Sequence, residues 1–173
     1  GFERLGYPTV QTHSGANWTM VHAIARQESE FDRNRVSHAG ARGMMQLMPG
    51  TAREEAGKIG VSYMSADLTA NPSYNIRLGD AHFARLMDRY GGAYPLAIAA
   101  YNAGPGRVNQ WLAANRDPRN GSVDWVTWIE QIPSNFETRY YVMRVIGNAV
   151  SYANMHPDKS SSYERDIGNY LRR

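Results

Sequence analysis

The stretch Met20-Val21-His22-Ala23-Ile24-Ala25-Arg26-Gln27-Glu28-Ser29-Glu30-Phe31 decides the fold class. Met20, Ile24 and Phe31 recur at the spacing that places side chains on one face of an α-helix, with Val21 and Ala25 beside them. The helical pattern sets in at Asn17 or Thr19 and is expected to run to Phe31. One residue does not fit a plain core stripe: Val21 and Ala25 lead at helical spacing to Glu28. A carboxyl group at the edge of an apolar stripe loses water, and this disfavours its charged form. Such an acid stays protonated near neutral pH and can donate a proton. The plain alternative is a helix-end glutamate that is solvated or paired with a nearby arginine. Glu30, two positions on, faces elsewhere on the helix, and Asp32 either shares the site or sits in solvent.

Outward from this helix the same period recurs. Asn71-Pro72 is a good N-cap followed by a first-turn proline. It opens a long helix with Ile76, Gly79, Phe83, Leu86 and Tyr90 on one side, ended by Gly91-Gly92. Pro95 begins a short apolar helix through Ala100, stopped at Gly104-Pro105-Gly106, and Pro105 starts the next, with Val108, Trp111 and Leu112. Trp125, Val126, Ile129 and Ile132 predict a further short helix ended by Pro133. From Ser134 a long one follows, with Val142, Val145, Ile146, Ala149 and Tyr152 on one face. Nothing alternates with a period of two over a useful length, so the expected fold class is all-α. Residues 1–16 are expected to be an irregular lead-in, 17–155 the domain proper, and 156–173 a tail that packs on it or frays.

The composition narrows the chemistry. The chain has 173 residues, 42% of them hydrophobic and 20% charged, with a net charge of +3, which fits one folded domain and excludes a charge-dominated disordered chain. The longest apolar run, around Pro95 to Ala100, is far short of the roughly 20 residues that span a bilayer. There is no cysteine, which removes disulfides, thiolate metal sites and thiol nucleophiles. The five histidines (13, 22, 38, 82, 156) have no HExxH or other tight ligand spacing, so no structural metal is expected. The isoelectric point is near 9.3, but Lys and Arg are scattered among Asp and Glu rather than gathered in a stripe, and nucleic acid is not an expected partner. The chain opens at Gly1 without a signal-like apolar segment, so any targeting signal is expected to have been removed.

Three more segments stand out. In Gly43-Met44-Met45-Gln46-Leu47-Met48-Pro49, three Met and one Leu surround a lone Gln. This predicts a buried turn whose amide needs a partner. It is either ordinary core or a wall for a sugar. In Ala100-Tyr101-Asn102-Ala103-Gly104-Pro105-Gly106, a helix stop meets a helix start, and Tyr101 and Asn102 are expected on a loop at the mouth of the bundle. In Glu137-Thr138-Arg139-Tyr140-Tyr141, Glu137, Tyr141 and Val145 share a face, so a second glutamate borders an apolar stripe, or else forms a plain Glu–Arg pair. Each segment alone has a structural reading. Four Trp among 11% aromatic residues suit stacking on sugar rings and equally suit a core.

Taken together and in this order, Ala25-Arg26-Gln27-Glu28-Ser29, Gly43 to Ala52, Ala100 to Gly106 and Glu137 to Val142 resemble the motifs of the soluble lytic transglycosylase family. The resemblance covers residues 17–155 and implies a goose-type, lysozyme-like helical domain with a cleft. It implies cleavage of the β-1,4 bond between N-acetylmuramic acid and N-acetylglucosamine in peptidoglycan, leaving 1,6-anhydromuramoyl ends. Ordinary glycosidases use two carboxylates; here a single Glu28 would act first as acid and then as base, helped by the substrate's own acetamido group. Ser37 would orient that group, and Gln46 and Met48 would line sugar subsites. Tyr101 and Asn102 would sit over the cleft near Glu28, and Glu137 would close the far wall, oriented by Arg139. No metal or other cofactor is needed. The implied partner is the peptidoglycan glycan strand, met by a monomer in the periplasm or cell envelope.

The chain departs from the family at His38, where Pro is common, and at Tyr140, where Gly is common. Larger members carry a long helical domain ahead of this one, so the chain is expected to be a small member or the catalytic end of a longer protein. Two other readings remain open at this point: a lysozyme-type hydrolase on the same scaffold, and a non-catalytic glycan-binding module.

Overall fold

Two helices crossing the molecule side by side set the frame. In a computed structural model, which describes residues 6–11 and 17–172, α1 (Trp18–Ser29) lies antiparallel to α8 (Thr138–Met155). Glu28 meets Tyr141 at one end, Asn148 donates to the Ala23 carbonyl in the middle, and Trp18 packs on His156 at the other end. Between α1 and α8 run α2 (Pro49–Ile59), α3 (Asp67–Ala70), α4 (Pro72–Arg89), α5 (Tyr94–Ala103), α6 (Pro105–Asn115) and α7 (Trp125–Glu130). A last short helix, α9 (Ile167–Tyr170), follows two 3₁₀ turns. Among the described residues there is no strand, only the isolated bridges Val36–Arg42 and Arg42–Leu47.

The helix ends follow their sequence signals in several places. Asn71 caps α4 by accepting from the Tyr74 N–H, with Pro72 in the first turn. Asp124 caps α7 through Thr127 N–H, and Pro105 starts α6. Helix α5 is buried from Pro95 to Ala100 and packs against α4, α6 and α8. A helix apolar on every side belongs in the interior, and this one is the core around which the others pack.

Three boundaries correct the sequence expectations. Helix α1 stops at Ser29 rather than Phe31, because Glu30 and Phe31 both take left-handed backbone, with φ of 52° and 63°. The Ser29 hydroxyl accepts from the Phe31 N–H at 3.1 Å and donates to the Met44 carbonyl at 2.7 Å, which ties the break to the next segment. Helix α5 runs on to Ala103, so Tyr101 and Asn102 sit in its last turn and not on a loop. Helix α8 starts at Thr138 rather than Ser134.

The ends of the chain are held in place where they are described. Tyr152 donates to the Pro8 carbonyl at 2.6 Å, and Val10 N–H donates to His22. The rest of the lead-in, residues 1–5 and 12–16, lies outside the described residues, and so does His13. At the other end Tyr170 is buried and its ring packs edge-on against Tyr94, with centroids 4.9 Å apart.

Candidate active site

Glu28 sits in the last turn of α1, where burial strips water from its carboxyl group. Desolvation is the largest influence and pushes its pKa from 4.5 up to about 7; the nearby Glu137 charge adds to the rise, while a hydrogen bond from Tyr141 and the Arg35 charge oppose it. The Tyr141 hydroxyl donates to Glu28 Oε2 at 3.0 Å. Burial and the Glu28 charge hold the phenols of Tyr101 and Tyr141 far above the usual tyrosine range, so both remain neutral donors. Glu28 is thus a carboxylic acid that keeps its proton near neutral pH, with one oxygen fixed by a phenol.

The wall opposite α1 is the segment Gly43–Met48. Gly43 has φ of 78°, and a Cβ there would lie 2.1 Å from the Leu68 carbonyl oxygen and 2.4 Å from Asn75 Nδ2. Only glycine fits both the conformation and the space. Asn75 is fully buried in α4 and secures the segment on both sides. Its Oδ1 accepts from Met45 N–H at 2.9 Å, and its Nδ2 donates to the carbonyls of Arg42 and Leu68. Tyr101 reaches across from α5 and donates to the Met45 carbonyl at 2.7 Å. Met44, Met45 and Leu47 point into the core while Met48 is 44% exposed.

The structure places the residues singled out in the sequence as follows. Glu28, Tyr101 and Glu137 are within electrostatic reach of one another through Tyr141. Asn102 donates to Glu137 Oε1 at 3.2 Å and accepts from the Thr138 hydroxyl at 2.7 Å, which joins the end of α5 to the start of α8. Arg139 does not orient Glu137. Its guanidinium donates to the Glu130 carbonyl, and Asn102 holds the glutamate instead. The Gln46 amide, expected to need a partner, has two: its nitrogen donates to the carbonyls of Arg35 and Gly43. Gln46 has φ of 50° and lines a small hollow with Met48, Thr51, His82 and Tyr101. Ser37 closes a tight loop: its hydroxyl accepts from Ala41 N–H at 2.9 Å, which leaves its own proton for another acceptor.

Sequence reasoning gave no role to Tyr141, Ser29 or Asn75. Tyr141 carried a signal, a phenol on the stripe that begins at Glu137. Ser29 and Asn75 carried none for their ties to the Arg42–Met45 segment, since those partners, Met44 for Ser29 and Arg42 and Met45 for Asn75, are distant in sequence.

The comparisons with known proteins bear on this geometry. Residues 9–122 match the model of the transglycosylase SLT domain. The chain belongs to the transglycosylase SLT domain family. It is 38% identical over 138 residues to the soluble lytic murein transglycosylase of Escherichia coli K12, a match that covers 79% of this chain and 21% of that protein. It is 28% identical over 170 residues to the membrane-bound lytic murein transglycosylase F of Yersinia enterocolitica, covering 94% of this chain and 32% of that one. Among solved structures, the 70 kDa soluble lytic transglycosylase of Escherichia coli superposes with a TM-score of 0.75 at 34% identity, over 94% of this chain and 25% of that one. An inactive Glu-to-Gln mutant of the Pseudomonas aeruginosa enzyme superposes with a TM-score of 0.73 at 40% identity, over 85% of this chain and 24% of that one. The SLT domain here therefore has the all-α, lysozyme-like fold expected from its sequence, and the chain spans about a fifth to a third of the length of these relatives. Among the described residues no helix is long and apolar enough to cross a membrane.

Proposed function

We propose that this SLT domain is a peptidoglycan lytic transglycosylase that cleaves between N-acetylmuramic acid and N-acetylglucosamine with Glu28 as its only acid and base. The observation that carries this reading is the partly buried Glu28 carboxyl, fixed by the Tyr141 hydroxyl and with its pKa pushed up to about 7 by the loss of water. Glu28 donates its proton to the glycosidic oxygen, and the bond from that oxygen to the muramoyl anomeric carbon breaks. The acetamido oxygen of the same sugar stabilises the developing cation. Glu28, now a carboxylate, removes the proton from the 6-hydroxyl. That oxygen closes on the anomeric carbon and restores the acid, so no water is consumed. Residues 17–155 form the catalytic domain in this reading.

The other residues have roles that fit their positions. Tyr141 supplies a neutral donor to the acid, while Tyr101, whose proton goes to the Met45 carbonyl, holds the wall beside it. Ser37 has a hydroxyl proton to offer the acetamido group. Gln46 and the exposed Met48 line the path of the sugar, and Asn102 with Glu137 closes the opposite wall. The substrate places the enzyme in the cell envelope, on the periplasmic side, acting as a monomer. The names and titles of the relatives support the reading: they are lytic murein transglycosylases, and a Glu-to-Gln change inactivates one of them.

The test is mass analysis of muropeptides released from purified sacculi. The expected products end in 1,6-anhydromuramic acid and are one water lighter than hydrolysis products, and Glu28→Gln releases none. Products that carry the added water would assign the site to a hydrolase instead. Wall binding without release would leave only a binding module.

A further inference from the structure

Arg26 lies two residues before Glu28 in α1 and joins three parts of the molecule. One terminal nitrogen of its guanidinium donates to the side-chain oxygen of Asn148 on α8, and its Nε donates to the Gly6 carbonyl of the lead-in. The Tyr7 ring lies against the same guanidinium, with its centroid 4.0 Å from Cζ. Asn148 is buried, and its own amide donates to the Ala23 carbonyl at 3.3 Å, so it grips α1 at two points. The lead-in is fastened along the same seam by Tyr152, which donates to the Pro8 carbonyl, and by Val10, which donates to His22.

The partners of Arg26 are a carbonyl, an amide oxygen and a ring, all neutral, so the side chain supplies geometry rather than an ion pair. A planar guanidinium presents its donors in a rigid fork, and two acceptors on two different elements therefore fix both distance and angle. A hollow of about 400 Å³, lined also by Gly6, Pro8, Gln27, Glu30 and Arg144, lies against Arg26, so packing does not hold it on that side. Asn148 and Tyr141 are about two helical turns apart on α8 and reach α1 along one line. A slide of α1 along α8 is resisted at Arg26 and felt at Glu28, where the 3.0 Å bond from the Tyr141 hydroxyl has little room to lengthen.

We propose that Arg26 is a positioning residue for the acid: by gripping Asn148 and the Gly6 carbonyl it fixes α1 on α8 and so holds Glu28 against the Tyr141 hydroxyl. This rests on the reading of Glu28 as the acid. Arg26 takes no part in the chemical step and acts through the seam between the two helices. The groups that face Glu28 itself are Tyr141 on α8, Glu137 just ahead of it, Tyr101 on α5 and Arg35 in the loop after α1. Arg26 is not among them, so a variant there reaches Glu28 only by moving it.

The experiment follows the Glu28 carboxyl directly, by NMR titration of protein carrying carbon-13-labelled glutamate, with Glu28→Gln assigning the signal. The pH profile of kcat on isolated glycan strands is measured beside it. Arg26→Lys keeps the charge without the fork, and Arg26→Met keeps only the stem; Arg26→Lys alone decides if Arg26→Met does not fold. Both the titration and the basic limb are expected to move to higher pH, because the Tyr141 bond that favours the carboxylate is weakened. The kcat is expected to fall about three- to tenfold with KM unchanged. In a Tyr141→Phe background, Arg26→Lys is expected to shift neither the titration nor the limb any further. A merely structural arginine would lower Tm and leave both where they are, and that result would overturn the proposal. Shifts that add to those of Tyr141→Phe would overturn it too. A wild-type protein that releases no anhydro ends would sink the lytic reading alone, since the carboxyl titration still decides for or against Arg26.

Discussion

Glu28 has opposite effects on stability and on chemistry. Its carboxyl is held near 7 in the folded chain and ordinarily titrates near 4.5, so between these values the native state keeps a proton that the unfolded chain has released. Stability therefore falls as the pH rises through that window, by as much as about 3 kcal/mol once Glu28 is ionised. Glutamine is neutral at every pH. Glu28→Gln should match the wild type in Tm at pH 5 and exceed it at pH 8, as measured by thermal melts across that range. Equal melting at both would mean that Glu28 is not desolvated. The same titration gives the basic limb of activity, since the acid is lost above about pH 7. The Tyr141 hydrogen bond favours the charged carboxylate, so Tyr141→Phe should move that limb to higher pH. It should also lower kcat about tenfold or more through loss of a fixed geometry. A pH–rate profile with an unmoved limb would remove Tyr141 from the site.

At the scale of elements, the wall of the site depends on partners far away in sequence. Asn75 makes three hydrogen bonds to segments 42–45 and 68 from a fully buried position. Asn75→Ala leaves those backbone groups without partners and should cost about 3 kcal/mol or more in urea unfolding, with KM rising as Gln46 and Met48 lose their support. A loss below about 1 kcal/mol would mean that the wall holds itself. This explains what the sequence made legible. Helix α4 is plain in Asn71-Pro72 and Gly91-Gly92 because caps act within a few residues. Helix α2 goes unannounced because the apolar residues it buries are Ala52 and Ala56, which make no conspicuous stripe. The end of α1 was misread because Phe31 continues the apolar period while its backbone turns left-handed. Glu28 was legible from its own helix. Its contact with Tyr141 was not, since 113 residues separate the two.

At the scale of the whole molecule, the tail belongs to the fold. Residues 162–170 pack on α8, Tyr170 is buried against Tyr94, and its hydroxyl donates to the Glu164 carbonyl. Removing residues 157–173 uncovers that apolar surface. Burial of one large aromatic contributes about 2 kcal/mol, so Tm should drop by on the order of 5 °C. The kcat should change little, since Glu28 and its partners lie at the other end of α1 and α8 from His156. A truncated chain with unchanged melting would mean that the tail only rests on the surface.

In the proposed reaction one glutamate closes the anhydro ring without water, and cleavage in water enriched in oxygen-18 separates this from hydrolysis. The new muramoyl ends should contain no heavy oxygen, because the 6-hydroxyl supplies the attacking atom. One heavy oxygen per cleaved bond would contradict the claim and make water the nucleophile.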